Sequence, residues 1–354
     1  MTADMPVDEA QVDWENVRIA WYRTPIDPET LKRLTARSDL AGFAQMLTQL
    51  LITAGTGTLA YFAWHHWPWY VTVAACYLHV TVYAFLGLSG AGHELCHNTP
   101  FKTRALNDFF LHLVGFLSYT NFVHFRASHE KHHAWTVHRG IDLEVQLPLR
   151  YTPRDVLLMF TVNPLSFWSV ITTTLRHARG ILEGEWEHRI FPERKVKQKM
   201  AMFRWARILL LGHLLLAGVF VSFQQWPLLV LVTFAPFCGG WLNFLCGFTQ
   251  HAGLQPSVPD FRLCCRTVIL NPLTRFLYWH MNYHVEHHMY AAVPFYKLGA
   301  LRNAIEADLP PAYSGLWDAW QDIRTFMRRQ KTDPAYFYTP PLPDRSVNPG
   351  TGIQ

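Results

Sequence analysis

What this chain lacks narrows it first. Its six cysteines (Cys76, Cys96, Cys238, Cys246, Cys264 and Cys265) include no CxxC pair, and most lie in apolar runs. That spacing argues against a disulfide framework and against an iron–sulfur cluster. Charge is nearly missing from two stretches. Between Phe43 and Phe101 only Glu94 carries a formal charge, and between Ile208 and Phe261 only Asp260 does. A soluble domain carries charge on its exposed turns, so membrane insertion is the simpler reading. The segment Met1 to Glu15 is acidic and lacks an apolar core, so no cleavable signal is expected. No internal repeat is evident beyond a two-hairpin pattern.

What is present is 354 residues, half of them hydrophobic, with four stretches that could cross a bilayer. They are Phe43–Trp64, Trp69–Gly90, Ile208–Phe223 (extended by Trp205) and Trp226–Phe248. His65-His66-Trp67-Pro68 separates the first pair and Gln224-Gln225 the second, which predicts two helical hairpins. These uncharged turns carry Trp64, Trp67, Trp69 and Trp226, residues suited to a membrane interface. Lys/Arg clusters at Arg189–Lys199 and Arg324–Lys331 flank apolar segments, which points to anionic lipid rather than nucleic acid. Both termini and the central segment are therefore expected on the cytoplasmic face.

Two weaker apolar stretches, Ala105–Val123 and Val156–Leu175, are expected as amphipathic helices lying on or dipping into that face. The fold class is all-α: an integral membrane protein with four transmembrane helices, interfacial helices and a histidine-rich cytoplasmic cap. It reads as one domain divided into residues 1–42, a first hairpin at 43–90, an interfacial region at 91–204, a second hairpin at 205–250, a cap region at 251–333 and a Pro-rich tail at 334–354. Asp27 before Pro28 marks a helix start within Arg23–Ser38.

Three histidine clusters carry the chemistry. His93 and His97 stand at i and i+4; His129, His132 and His133, like His284, His287 and His288, stand at i, i+3 and i+4. Each spacing puts the imidazoles on one helical face. Eight converging imidazoles without a metal would leave many nitrogens without partners. They exceed one tetrahedral zinc and suit two ions of higher coordination, although imidazole accepts iron, zinc and copper alike. The lone histidines His65, His66, His79, His112 and His213 read as interfacial or satisfied core groups. A lipid-embedded site of this kind suits a strong oxidant acting on inert C–H bonds away from water.

The order H-x-x-x-H, H-x-x-H-H, H-x-x-H-H, with Trp279-His280-Met281-Asn282-Tyr283 leading into His284, resembles the membrane fatty acid desaturase and hydroxylase superfamily over roughly Phe43 to Leu301. The resemblance implies boxes on the cytoplasmic side holding two irons, dioxygen as co-substrate, a four-helix stem and a lipid substrate entering from the membrane. It also implies a ninth ligand just after the fourth span, where His251 follows Gln250. Supporting or substrate-facing roles fall to His124, His138, His280 and Asn282. Glu94, Glu130 and Glu286 inside the boxes, with Asp142 and Glu144 beyond the second, are expected to hold outer imidazole N–H groups. No H-P-G-G segment of a fused haem domain occurs, and His284 stands where front-end desaturases usually have glutamine. Electrons are therefore expected from a separate carrier, such as a ferredoxin with its reductase.

The activity expected is desaturation of a lipid acyl chain, with hydroxylation, ketolation or another monooxygenation of a lipid, carotenoid or similar apolar molecule as the alternative. His93-Glu94-x-x-His97 also matches the zinc metalloprotease motif, but a three-ligand zinc site leaves the other boxes unexplained. A metal transporter would place its polar groups at mid-membrane rather than at span ends.

Overall fold

A computed structural model of the chain describes Trp14 and residues 16–344. The acidic segment before Trp14 and Gly350 and Gly352 of the tail lie outside them. Among the described residues every regular element is helical, and extended backbone pairs only as isolated bridges.

Asp27 accepts the Thr30 N–H at 2.8 Å to start α1 (Pro28–Thr35), a shorter helix than the charge pattern suggests. Ser38 caps α2 (Asp39–His66), 28 residues and about 42 Å long. Pro68 ends it, because the residue before a proline avoids helical backbone, and Trp67 is extended at φ −117° and ψ 159°. The chain turns into α3 (Trp69–Tyr83), which packs antiparallel to α2, and continues through a 3-10 turn at Ala84–Leu86 to α4 (Ala91–Cys96). His79 ties this hairpin to a third segment, with Nδ1 at 3.1 Å from Thr56 Oγ1 and Nε2 at 2.8 Å from the Leu231 carbonyl.

Next come α5 (Arg104–Leu117), α6 (Phe122–Trp135), α7 (Pro153–Phe160), α8 (Pro164–Ala178), α9 (Gly184–Ile190) and α10 (Val196–Ser222). The helix α10 starts well before Ile208 and turns Leu211, Leu214 and Leu215 outward at 67%, 71% and 70% exposure. An unpartnered apolar face of this size suits lipid rather than water. Two runs, Trp69–Cys96 and Val196–Ser222, are long and apolar enough to cross a membrane by length and composition. The end of α2 lies against the second hairpin turn, since Tyr61 donates to Gln225 Oε1 at 2.7 Å.

The stretch Trp226–Phe248 departs from a single helix. It divides into α11 (Trp226–Leu228), a π-turn at Leu229–Thr233, a 3-10 turn at Ala235–Phe237 and α12 (Trp241–Phe248). Pro236 cannot donate to a helical ladder, and Gly239 takes φ 58° where a Cβ would come within 2.5 Å of Val80 Cγ2. The loop between α7 and α8 satisfies the freed groups: Asn163 N–H donates to the Phe237 carbonyl at 2.8 Å, and Gly239 N–H to that of Thr161 at 2.7 Å. Val80 lies eleven residues into α3, about 16 Å along its axis. The loop between α7 and α8 therefore reaches the broken segment beside the last turn of α3. Irregular backbone is tolerated there because protein pairs with it.

The remaining short helices, α13 (Phe261–Cys264), α14 (Pro272–Leu277), α15 (His284–Met289) and α16 (Leu298–Ile305), build a cap with α4 and α6, flanked by α17 (Leu316–Thr332). The N-terminal segment laces this cap: Tyr22 and Arg262 both hydrogen bond to Asp308. The tail is pinned where Tyr338 N–H donates to the Gly253 carbonyl at 2.8 Å.

Candidate metal centre

Each box occupies a helix that ends in the cap. His93 lies on α4 with His97 at its C-cap, His129, His132 and His133 lie on the last turns of α6, and the third box forms most of α15. His251 arrives from the turn after α12. The ligand atoms of His93, His97, His129, His133 and His287 all lie within 4.8 Å of one another, as do those of His251, His284, His288 and Cys265. The His132 ring borders the second group, with centroids 5.2 Å from His251 and 5.0 Å from His288. All nine predicted ligands thus meet in one cluster. Cys265 joins them although its spacing carried no metal signal; only its place after α13, beside His251, reveals it.

Outer contacts orient these rings. Nδ1 of His129 lies 2.7 Å from Glu144 Oε1, and Nδ1 of His132 lies 2.7 Å from Asp142 Oδ2. Nδ1 of His251 faces the Cys264 carbonyl at 2.8 Å, that of His288 faces Thr136 Oγ1 at 3.1 Å, and that of His93 faces Glu94 Oε1 at 3.1 Å. A partner on Nδ1 sets the tautomer and leaves Nε2 free to bind a metal. The Nε2 atoms of His93, His97, His287 and His288 are buried with no hydrogen-bond partner, while those of His129 and His133, and of His251 and His284, face each other at 3.0 Å. Facing lone pairs and orphaned nitrogens are costly without an ion between them, so the donor set fits metal.

Burial, reinforced by neighbouring imidazoles, holds His129, His133, His284, His287 and His288 well below the usual histidine range. Burial brings His97 to about 4 and His251 to about 3. These rings are neutral at neutral pH, the form that ligates. His132 differs: burial opposes its charge, but the Asp142 carboxylate raises it.

Several expected supports sit elsewhere. Glu130 is exposed, because one residue advances the α6 surface by about 100° and turns it away from His129; Glu144 takes that place. Glu286 is buried but accepts from Thr267 and from Arg302 at 2.7 Å rather than from an imidazole. Asn282 donates to the Val268 carbonyl at 2.9 Å and holds the loop before box three. His280 packs against Phe295, and His138 closes the end of α6 through the Trp135 carbonyl at 2.9 Å. Missed from sequence were Ser128, which donates to Glu144, and Trp186, whose Nε1 donates to Ser128 Oγ at 2.8 Å.

A cavity of about 750 Å³ opens between α3, α6, α8 and the broken segment. Phe125, Ser128 and Glu144 line its inner end, and the Phe125 ring stacks on His129 at 4.9 Å. Tyr119, Val170, Phe237 and Phe248 supply apolar wall.

A buried polyhistidine cluster at the end of an apolar helical stem, with a cavity beside it, is the arrangement of a membrane protein whose donor set is consistent with metal binding. The fatty acid desaturase family matches the chain over residues 67–320, and the chain belongs to that family of oxidoreductases. It is also similar to the Delta(6)-fatty-acid desaturase fat-3 of Caenorhabditis elegans, 25% identical over 267 residues, covering 67% of this chain and 58% of that protein.

Proposed function

We propose that the chain is a di-iron desaturase that converts a –CH2–CH2– unit of a membrane lipid acyl chain into –CH=CH–. In that reaction dioxygen, two electrons from a separate carrier and two protons are consumed, and two waters leave. The observation that carries this reading is the set of inward Nε2 atoms without partners, next to a cavity with apolar walls. Nine imidazoles with no carboxylate among the facing donors suit two ions, and iron held there would supply the dioxygen chemistry.

The residues of the chain have separate tasks. Glu144 and Asp142 fix two box-two rings with Nε2 inward, and Thr136 and the Cys264 carbonyl do so for His288 and His251. Phe125 stands between the cavity and His129, where it positions an acyl chain and excludes water. In this reading α2, α3, α10 and the interrupted Trp226–Phe248 segment cross the bilayer. Both termini and the histidine cap are cytoplasmic, where a soluble carrier docks.

Expression in a host of defined lipid composition, followed by mass spectrometry, tests the reaction. Desaturation yields products two mass units lighter; products sixteen units heavier assign oxygen insertion instead. Turnover that persists without oxygen would falsify both.

A further inference from the structure

A second group of ligating side chains lies outside the nine-histidine cluster. His124 near the start of α6, His177 near the end of α8 and Glu187 on α9 bring their ligand atoms within 4.8 Å of one another. The Nε2 atoms of both histidines approach the same oxygen, Glu187 Oε1, at 2.8 Å from His177 and 3.7 Å from His124. The other carboxylate oxygen is engaged by the Glu183 N–H at 2.7 Å. His177 and Glu187 are buried, and both imidazoles border the cavity or its wall.

We propose that His124, His177 and Glu187 form a separate site for a zinc-class divalent cation on the cavity wall. Bonds of 2.0–2.1 Å to a tetrahedral ion separate its ligand atoms by about 3.3 Å, and the observed separations bracket that value. A hydrogen-bonded cluster satisfies His177 but leaves His124, which is beyond hydrogen-bond reach of Glu187 and whose ring makes no hydrogen bond among the described residues. An anion is the wrong guest, because Glu187 would repel it. Burial, with His177 alongside, holds His124 near 4, so its ring is a neutral donor. Two imidazoles and one carboxylate are a familiar three-ligand set, and the fourth position falls to an oxygen donor from the cavity. The site joins three separate helices, and its rings are distinct from the nine: His124 packs on His177 and Phe191.

The test uses the full chain in detergent, loaded with iron until uptake stops and then exposed to Co2+. We expect about one further Co2+ per chain, with the visible absorption of a tetrahedral ion. It is lost in His177→Gln and Glu187→Gln while iron content is retained. An iron-loaded wild type that takes up no cobalt, or uptake unchanged in both variants, overturns the proposal. X-ray absorption at the cobalt edge decides the matter on the wild type alone: two imidazoles with oxygen ligands support the site, and any other set refutes it. Iron content reports the nine-histidine cluster separately, so failure of the di-iron reading and failure of this site are distinguishable.

Discussion

His132 Nδ1 sits 2.7 Å from Asp142 Oδ2, and the same carboxylate oxygen accepts the Val137 N–H at 2.8 Å. One buried aspartate thereby couples a box-two imidazole to the turn that ends α6. Burial works against the Asp142 charge, but His132 and the Val137 and Glu144 N–H groups hold its pKa below the usual value. Replacing Asp142 by Asn keeps the shape and removes the charge. Iron affinity is expected to fall about 10–100-fold. Equilibrium dialysis measures it, and unchanged affinity would show that Asp142 only shapes the turn.

Trp186 acts one contact further out. Its Nε1 holds Ser128, which donates to Glu144, the partner of His129. Trp186→Phe removes one neutral hydrogen bond, worth about 0.5–1.5 kcal/mol. We expect lower iron occupancy than wild type but higher than in Glu144→Gln, measured as iron per chain. Equal occupancy in all three proteins would sever this chain of contacts.

Metal removal should destabilise the cap. Each buried nitrogen left without a partner costs about 1–3 kcal/mol, and the cluster holds several. Chelation is expected to lower the unfolding temperature by several degrees, and Fe2+ to restore it, as a ligand of the native state must. A melting curve indifferent to chelator and iron contradicts metal binding at the boxes.

Gly239 combines φ 58° with a Cβ direction that meets Val80 Cγ2 at 2.5 Å. Gly239→Ala should cost about 1–3 kcal/mol through strain and overlap. Adding Val80→Ala should recover the steric part and leave the backbone part, read from unfolding midpoints. A Gly239→Ala chain as stable as wild type means the close approach is not kept in the membrane.

Filling the cavity tests its role without touching a ligand. Val170 lines it from α8. Val170→Trp should cut turnover of long acyl chains at least about tenfold, about 1.4 kcal/mol in the barrier, with iron content intact. Retained turnover on every chain length would place the substrate elsewhere.

Much of this protein was legible from spacing alone. Box intervals of three and four residues carry their own geometry, because a helix returns to one face every 3.6 residues. The charge-free runs follow from the cost of placing charge in hydrocarbon, and the break in Trp226–Phe248 had a readable signal in Pro236 and the Gly239-Gly240 pair. Glu130 shows where local reading fails: adjacency in sequence places it a third of a turn from His129, and the real partner, Glu144, comes from a loop fifteen residues on.

By itself the sequence determined the helical class, the apolar segments and three of the ligand faces, since these depend on periodicity within a few residues. Only the tertiary structure decided which carboxylate serves which imidazole, how the α7–α8 loop satisfies the broken segment, and that His124, His177 and Glu187 meet. Those pairings join residues distant in the chain, and the packing of whole helices, rather than any local preference, brings them within bonding distance.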